Sequence, residues 1–251
     1  MSALRVERDG AVLRVTLARP ERRNAFDAAL IAELTDAFTD VGDARAVLLE
    51  GEGPSFCAGA DVEWQRSSID LTFDENVADA RRLYRMLETI DGCPAPVVVR
   101  AHGYVLGGGS GLVACGDVVV AAPDAVFGFT EVKLGILPAV ISPFVVAKIG
   151  PSHARALFVT GERFDAQRAL QIGLVDEVAE KPDVAVERVV GELLTSGPQA
   201  AREAKRLVRV GPRDEQTAEL AARLRTSPEG QEGLRAFLER REASWRSASS
   251  S

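Results

Sequence analysis

The sequence predicts a mixed α/β fold in which pairs of short strands are followed by helices, closed by an all-helical C-terminal region. Three observations carry this expectation. Two β-rich runs, residues 4–7 and 12–17, flank Asp9-Gly10, a strong hairpin signal, so the first unit is antiparallel. Short apolar runs bounded by turn residues then alternate with stretches whose apolar residues recur at helical spacing. From Ile141 onward the pattern is helical.

In chain order, Arg19-Pro20 leads to a helix capped at Asp27, whose stripe is Leu30, Ile31, Leu34, Ala37, Phe38 and Val41. Residues 46–49 read as a buried strand. A Gly/Pro/Ser loop at 51–54 follows, and Phe56-Cys57-Ala58-Gly59-Ala60-Asp61 cannot lie inside a regular element. The polar stretch 65–74 reads as mobile. Val77, Ala80, Leu83, Tyr84, Leu87 and Ile90 then mark a helix that Pro94 and Pro96 stop. Residues 97–99 form a short buried strand, Gly107-Gly108-Gly109 opens a small-residue helix through Ala114, and strands return at 118–121 and 126–127. Helices are expected at 142–149, 152–160, 166–172 and 184–194, then three more. The dipeptides Gly197-Pro198, Gly211-Pro212 and Ser227-Pro228 place proline near helix starts, where its missing N–H costs little. The expected division is a core over 1–196 and a helical region over 197–251, with residues 247–251 disordered.

Composition narrows the function. With 46% hydrophobic and 27% charged residues the chain reads as globular, and no apolar run approaches the roughly 20 residues of a membrane span. A net charge of −7 argues against nucleic-acid binding, because phosphate contacts require a basic face. The N-terminal residues lack a signal-peptide pattern, and Cys57, Cys93 and Cys115 form no CxxC pair, so a cytoplasmic protein with buried thiols is expected. His102 and His153 have no metal-ligand spacing and read as structural; no metal is expected.

Three segments can carry chemistry. The small residues of Phe56 to Asp61 let a ligand approach the main chain, so the Ala60 amide can face a substrate oxygen; taken alone the segment is a weak signal, and a simple tight turn is the readier explanation. In His102-Gly103-Tyr104-Val105-Leu106-Gly107-Gly108-Gly109, a glycine triplet at a helix start exposes unpaired N–H groups, which suits an oxyanion; close helix packing is the alternative. The spacing fits neither phosphate-loop nor dinucleotide patterns. In Phe129-Thr130-Glu131-Val132-Lys133-Leu134-Gly135, one carboxylate stands among apolar residues. Burial would raise its pKa into the range of a proton-transfer group, whereas a surface loop would leave it ordinary.

In this order and spacing the three segments closely resemble the crotonase (enoyl-CoA hydratase/isomerase) superfamily, from about Val12 to Arg241. The resemblance implies a spiral of repeated ββα units, assembled as trimers or dimers of trimers, acting on an acyl-CoA thioester. Coenzyme A is then part of the substrate, with no separate cofactor. Ala60 and Gly108 match the two oxyanion-hole donors and Glu131 the acid/base. Arg22, Arg23 and Ala25, together with Ala58, Asp61, Val62, Glu63 and Gly107, resemble positions that hold the CoA nucleotide and pantetheine. Phe237 and Arg240 resemble C-terminal positions that reach the CoA of a neighbouring subunit, so the region 197–251 is expected to trimerise and cover CoA.

One departure matters. Typical hydratases of this family carry a second glutamate just after the glycine triplet, where this chain has Gly111. A lone carboxylate suits a 3,2-enoyl-CoA isomerase, and it also serves a hydratase if Glu131 manages both proton steps. The stretch from Glu131 to Phe144, with Gly111-Leu112, resembles the methylglutaconyl-CoA hydratase branch and favours hydration. A methylglutaconyl group would want a cation for its distal carboxylate, and the sequence places none. A non-catalytic CoA-ester-binding protein is the reading from another class.

Overall fold

The computed structural model describes residues 3–211 and 214–247. Strands β1 (Leu4–Asp9) and β2 (Val12–Leu17) form the expected antiparallel hairpin. A 3₁₀ turn at Pro20–Arg22 precedes helix α1 (Ala28–Thr39), where the Asp27 carboxylate accepts the Leu30 amide hydrogen at 2.9 Å. Such a cap stabilises a helix by about 1 kcal/mol. Strand β3 (Ala46–Gly51) is followed by α2 (Val62–Ser67), α3 (Phe73–Asp91), β4 (Val97–Ala101), β5 (Tyr104–Leu106) and α4 (Gly108–Ala114). Next come β6 (Val118–Ala121), β7 (Val126–Gly128), a 3₁₀ turn at Glu131–Leu134, and α5 (Ser142–Thr160), which breaks at Gly150 (φ 75°) as the two expected helices. The remainder is β8 (Arg163–Asp165), α6 (Ala166–Gln171), β9 (Glu177–Val178), α7 (Pro182–Thr195), α8 (Pro198–Val210), α9 (Gln216–Thr226), α10 (Pro228–Glu239) and α11 (Ser244–Ser247).

Two sheets organise these elements. The larger has the order β1-β2-β3-β4-β6-β9 and is parallel beyond its first pair; the smaller has the order β5-β7-β8. Cys57, just after β3, bridges Val105, Val105 pairs with Phe127, and Phe127 with Phe164. Successive turns of the chain therefore each place one segment in the large sheet and one in the small sheet before a helix. This is a spiral of strand–strand–helix units, although the sequence shows no repetition.

The runs of valine and leucine follow from burial on both faces of a parallel sheet. Val47, Leu49, Val97, Val99, Val119 and Ala121 point into the main core, under α1, α3, α4 and α5. Leu48, Val98 and Val120 point the other way, with Val12, onto Ala185 and Val186 of α7. All three cysteines are buried and unpaired, and burial pushes the Cys57 thiol up to about 12.

Three expectations are corrected. The polar stretch 65–74 is largely helical at its ends, with residues 65–67 in α2, 73–74 in α3 and only 68–72 connecting them. Asp61 caps α2, and Thr72 with Glu75 forms a reciprocal capping box at the start of α3, so polar residues there satisfy helix ends. Strands β5, β8 and β9 have two or three residues each and pair only through tertiary contact. The C-terminal region has four helices after α7 rather than three. Pro198 and Pro228 open α8 and α10 as expected, while Pro212 and residues 248–251 lie outside the described residues. Among the described residues no helix is long and apolar enough to cross a membrane.

Candidate functional site

The turn after β3 and the turn after β5 are fastened to each other by main-chain hydrogen bonds. Cys57 N donates to Tyr104 O at 3.1 Å, and Leu106 N donates to Cys57 O at 3.0 Å. Their flanking amides are engaged: Ala58 N on Arg23 O at 3.0 Å, Asp61 N on Phe26 O at 2.7 Å, and Gly107 N on Gly128 O at 2.9 Å. Among the described residues, no backbone acceptor pairs with the Ala60 amide or with that of Gly108, the first residue of α4. The Gly108 amide is unpaired because the first N–H groups of a helix have no acceptor in the preceding turn. Both residues line one cavity of about 220 Å³.

Glu131 enters the same cavity from the 3₁₀ turn after β7. Its Oε1 lies against Gly107, and its Oε2 is buried with no hydrogen-bond partner among the described residues. Burial pushes the Glu131 carboxyl above its ordinary value of 4.5, with its own backbone amide acting in the opposite sense. A buried carboxyl in this state exchanges a proton near neutrality more readily than an exposed one. The rest of the wall includes Phe26, Trp64, Leu83, Leu106, Val140 and Ile141, and among the described residues no lysine or arginine lines it.

Of the residues expected at the site, Ala58, Ala60, Gly107, Gly108 and Glu131 line the cavity. Ala25 is buried nearby in the turn, its amide on Arg22 O at 3.1 Å. Asp61 does not line the cavity: it is 5% exposed, caps α2 through the amides of Glu63 and Trp64, and pairs with Arg22 at 3.0 Å and Arg19 at 3.6 Å. Burial alone would raise the Asp61 pKa, but the Arg22 hydrogen bond and the two amides outweigh it and hold the carboxyl below its ordinary value. Arg23 stacks on the Tyr104 ring at 5.3 Å. Val62 and Glu63 are exposed on α2, outside the cavity. Phe237 and Arg240, at the end of α10, are exposed and not part of the cavity in this chain.

Several lining residues were not singled out by the sequence. Trp64 and Gln65 arrive on α2, at the edge of the polar stretch 65–74 read as mobile, and only the Asp61 cap signals that helix. Ile141 and Val140 carried an apolar signal that did not distinguish core from cavity.

Residues 7–248 match the family model described as Enoyl-CoA hydratase/isomerase. The chain is 35% identical to the cyclohexa-1,5-dienecarbonyl-CoA hydratase of Thauera aromatica, over 96% of this chain and 95% of that protein. It is 30% identical to the crotonyl-CoA hydratase of Syntrophomonas wolfei, over 90% and 91% respectively. Among solved structures, an enoyl-CoA hydratase from Shewanella pealeana superposes with a TM-score of 0.92 at 37% identity, covering 97% of this chain and 96% of that one. An enoyl-CoA hydratase from Mycobacterium smegmatis gives 0.89 at 30% identity, covering 97% and 98%.

Proposed function

The chain belongs to the enoyl-CoA hydratase/isomerase family, and we propose that it is an enoyl-CoA hydratase in which Glu131 is the one acid/base group. The observation that carries this reading is the meeting of two unpaired amides and one buried, unpartnered carboxyl oxygen in a single cavity. The thioester oxygen of the substrate accepts hydrogen bonds from the amides of Ala60 and Gly108. The Glu131 carboxylate takes a proton from water as the water oxygen bonds to C3, and electron density moves onto the thioester oxygen as an enolate. Glu131 then returns that proton to C2, so one water is added and the carboxylate is regenerated. The amides are already oriented before charge develops, so they stabilise it without reorganising; loss of one such donor costs roughly 3 kcal/mol in comparable sites.

The same carboxylate can instead carry a proton from C2 to C4 of a 3-enoyl-CoA, which is isomerisation. The relatives from Thauera aromatica and Syntrophomonas wolfei are named as hydratases, which favours hydration. CoA enters as part of the substrate, and the reaction as written needs no other cofactor. Arg22, Arg23 and Ala25, with the Ala58–Glu63 turn, are proposed to hold the CoA moiety. The region 197–251 is proposed to cover the CoA of a neighbouring subunit in a trimer or dimer of trimers, which gives the exposed Phe237 and Arg240 a ligand to meet. A cytoplasmic location suits the three free thiols.

The test is mass spectrometry after incubation with linear, branched and dicarboxylic enoyl-CoA esters. Gain of one water supports the hydratase. A product of unchanged mass with a shifted double bond identifies the isomerase instead, and tight binding without turnover identifies a CoA-ester-binding protein.

A further inference from the structure

Gly111 lies in the buried helix α4, and its space is taken by a neighbour. A methyl group built on it would stand 2.6 Å from Ile141 Cγ2, 3.1 Å from Ile141 Cβ and 3.6 Å from Leu87 Cδ2. Contacts at the first of these distances force something to move. Ile141 precedes α5, is 2% exposed, and is held there by its carbonyl, which accepts the Val145 amide at 3.1 Å. The same side chain lines the cavity that contains Glu131. Ile141 is thus wedged between α4 and the space available to substrate, where a larger residue at 111 would have displaced it.

We propose that Ile141, seated on Gly111, is the specificity-determining wall of the acyl cavity and restricts the site to compact, uncharged acyl groups. The inference deepens the hydratase reading and rests on it for what the cavity holds. Compactness follows from the packing. Ile141 has little room to retreat, because its Cγ2 already fills the space beside Gly111, it is 2% exposed, and close-packed interiors yield little. The preference for an uncharged group follows from the lining. Among the described residues no lysine or arginine borders the cavity, so no cation there faces a distal carboxylate. A distal carboxylate would therefore be desolvated without a partner, which is costly. This departs from the methylglutaconyl-type substrate that the stretch after Glu131 suggests.

The experiment measures dissociation constants of butyryl-, hexanoyl- and glutaryl-CoA for the full-length protein and for Ile141→Ala, Ile141→Val and Gly111→Ala. Saturated esters are used so that the result does not depend on turnover. The wild type is expected to bind butyryl-CoA at least about tenfold more tightly than glutaryl-CoA. Ile141→Ala is expected to shift the hexanoyl/butyryl ratio about tenfold toward the longer chain, in line with the discrimination that methylene-sized changes produce in apolar pockets. Should Ile141→Ala fail to fold, Ile141→Val is expected to shift the ratio in the same direction by a smaller factor. Gly111→Ala is expected to shift it the opposite way, and in the double variant Gly111→Ala/Ile141→Ala, which removes the Cγ2 that the new methyl would strike, the Gly111→Ala shift is expected to be largely lost, so that the double variant departs from the sum of the single shifts as residues in direct contact do. Equal affinity for glutaryl- and butyryl-CoA, or an unchanged chain-length ratio in a folded Ile141 variant, overturns the proposal. If these ratios hold while no enoyl ester is hydrated, the wall assignment stands and the hydratase reading falls.

Discussion

The carboxyl of Glu131 rests on the backbone of Gly107: a methyl group built on Gly107 would lie 3.3 Å from Glu131 Oε1. Gly107 is also the residue before α4, with a φ of 52°, and it precedes the unpaired Gly108 amide. One glycine therefore sets both the direction of the helix amides and the seat of the proposed acid/base group. A side chain there would disturb the two together.

Replacing Glu131 by glutamine keeps the shape and removes the ionisable group. Turnover of an enoyl-CoA ester should fall by about a hundredfold or more, the range expected for loss of a general acid/base. Affinity for a saturated acyl-CoA, measured by calorimetry, should change by less than about threefold. Equal loss of both would assign Glu131 a structural role.

The same substitution has a signed effect on stability. The folded-state pKa of Glu131 is raised by burial above its ordinary 4.5. Its contribution is therefore fully present below that ordinary value and is lost as pH rises through the raised folded value. The difference in melting temperature, Glu131→Gln minus wild type, should increase from acid toward neutral pH. A flat difference across that interval would contradict the burial argument.

Gly107→Ala places a Cβ on a left-handed backbone against the Glu131 carboxyl. Strain at such positions costs about 1–3 kcal/mol. Denaturant unfolding should show that loss. Because catalytic geometry is sensitive to displacements of about 1 Å, kcat/KM should fall by on the order of tenfold to a hundredfold.

Asp61 is a test of the wall rather than of the chemistry. Asp61→Ala removes the α2 cap, worth about 1 kcal/mol, and leaves Arg19 and Arg22 without this partner. Because α2 carries Trp64 and Gln65 into the cavity, acyl-CoA affinity should weaken as well. Asp61→Asn retains a competent cap and should recover most of the stability. The wild-type carboxyl has a depressed pKa, so its stabilising effect is present above its unfolded value and lost as pH falls through the folded one. The stability gap between wild type and Asp61→Asn should therefore narrow in acid.

Phe237 is 80% exposed in the single chain. If the C-terminal region covers a neighbouring subunit's CoA, Phe237→Ala should raise KM for a CoA ester several-fold with little change in kcat. Its melting temperature should be close to that of the wild type. An unchanged KM would remove Phe237 from the CoA site.

The elements that were legible in the sequence are those with local causes. Asp9-Gly10 encodes the hairpin, Asp27 caps α1, and Gly150-Pro151 breaks α5 because the glycine adopts a φ of 75°. The glycine triplet and the isolated Glu131 were recognisable as candidate chemistry because small residues and a lone carboxylate among apolar neighbours are unusual in local sequence. Short strands such as β5 and β9 were not legible, since two or three residues carry no periodicity and gain their hydrogen bonds only from distant partners. Helix α2 was hidden by its polarity.

The sequence by itself determined the hairpin, the main helices with their caps, and the glycine-rich turns and isolated carboxyl that mark the candidate site, because propensity, capping and turn chemistry act over a few residues. Only the tertiary structure decided that Ala60 and Gly108 share a cavity, that Glu131 is buried enough to hold its proton more tightly, and that Ile141 fills the space beside Gly111. Those relations join residues tens of positions apart. They depend on packing and desolvation, which exist only once the spiral has closed around its core.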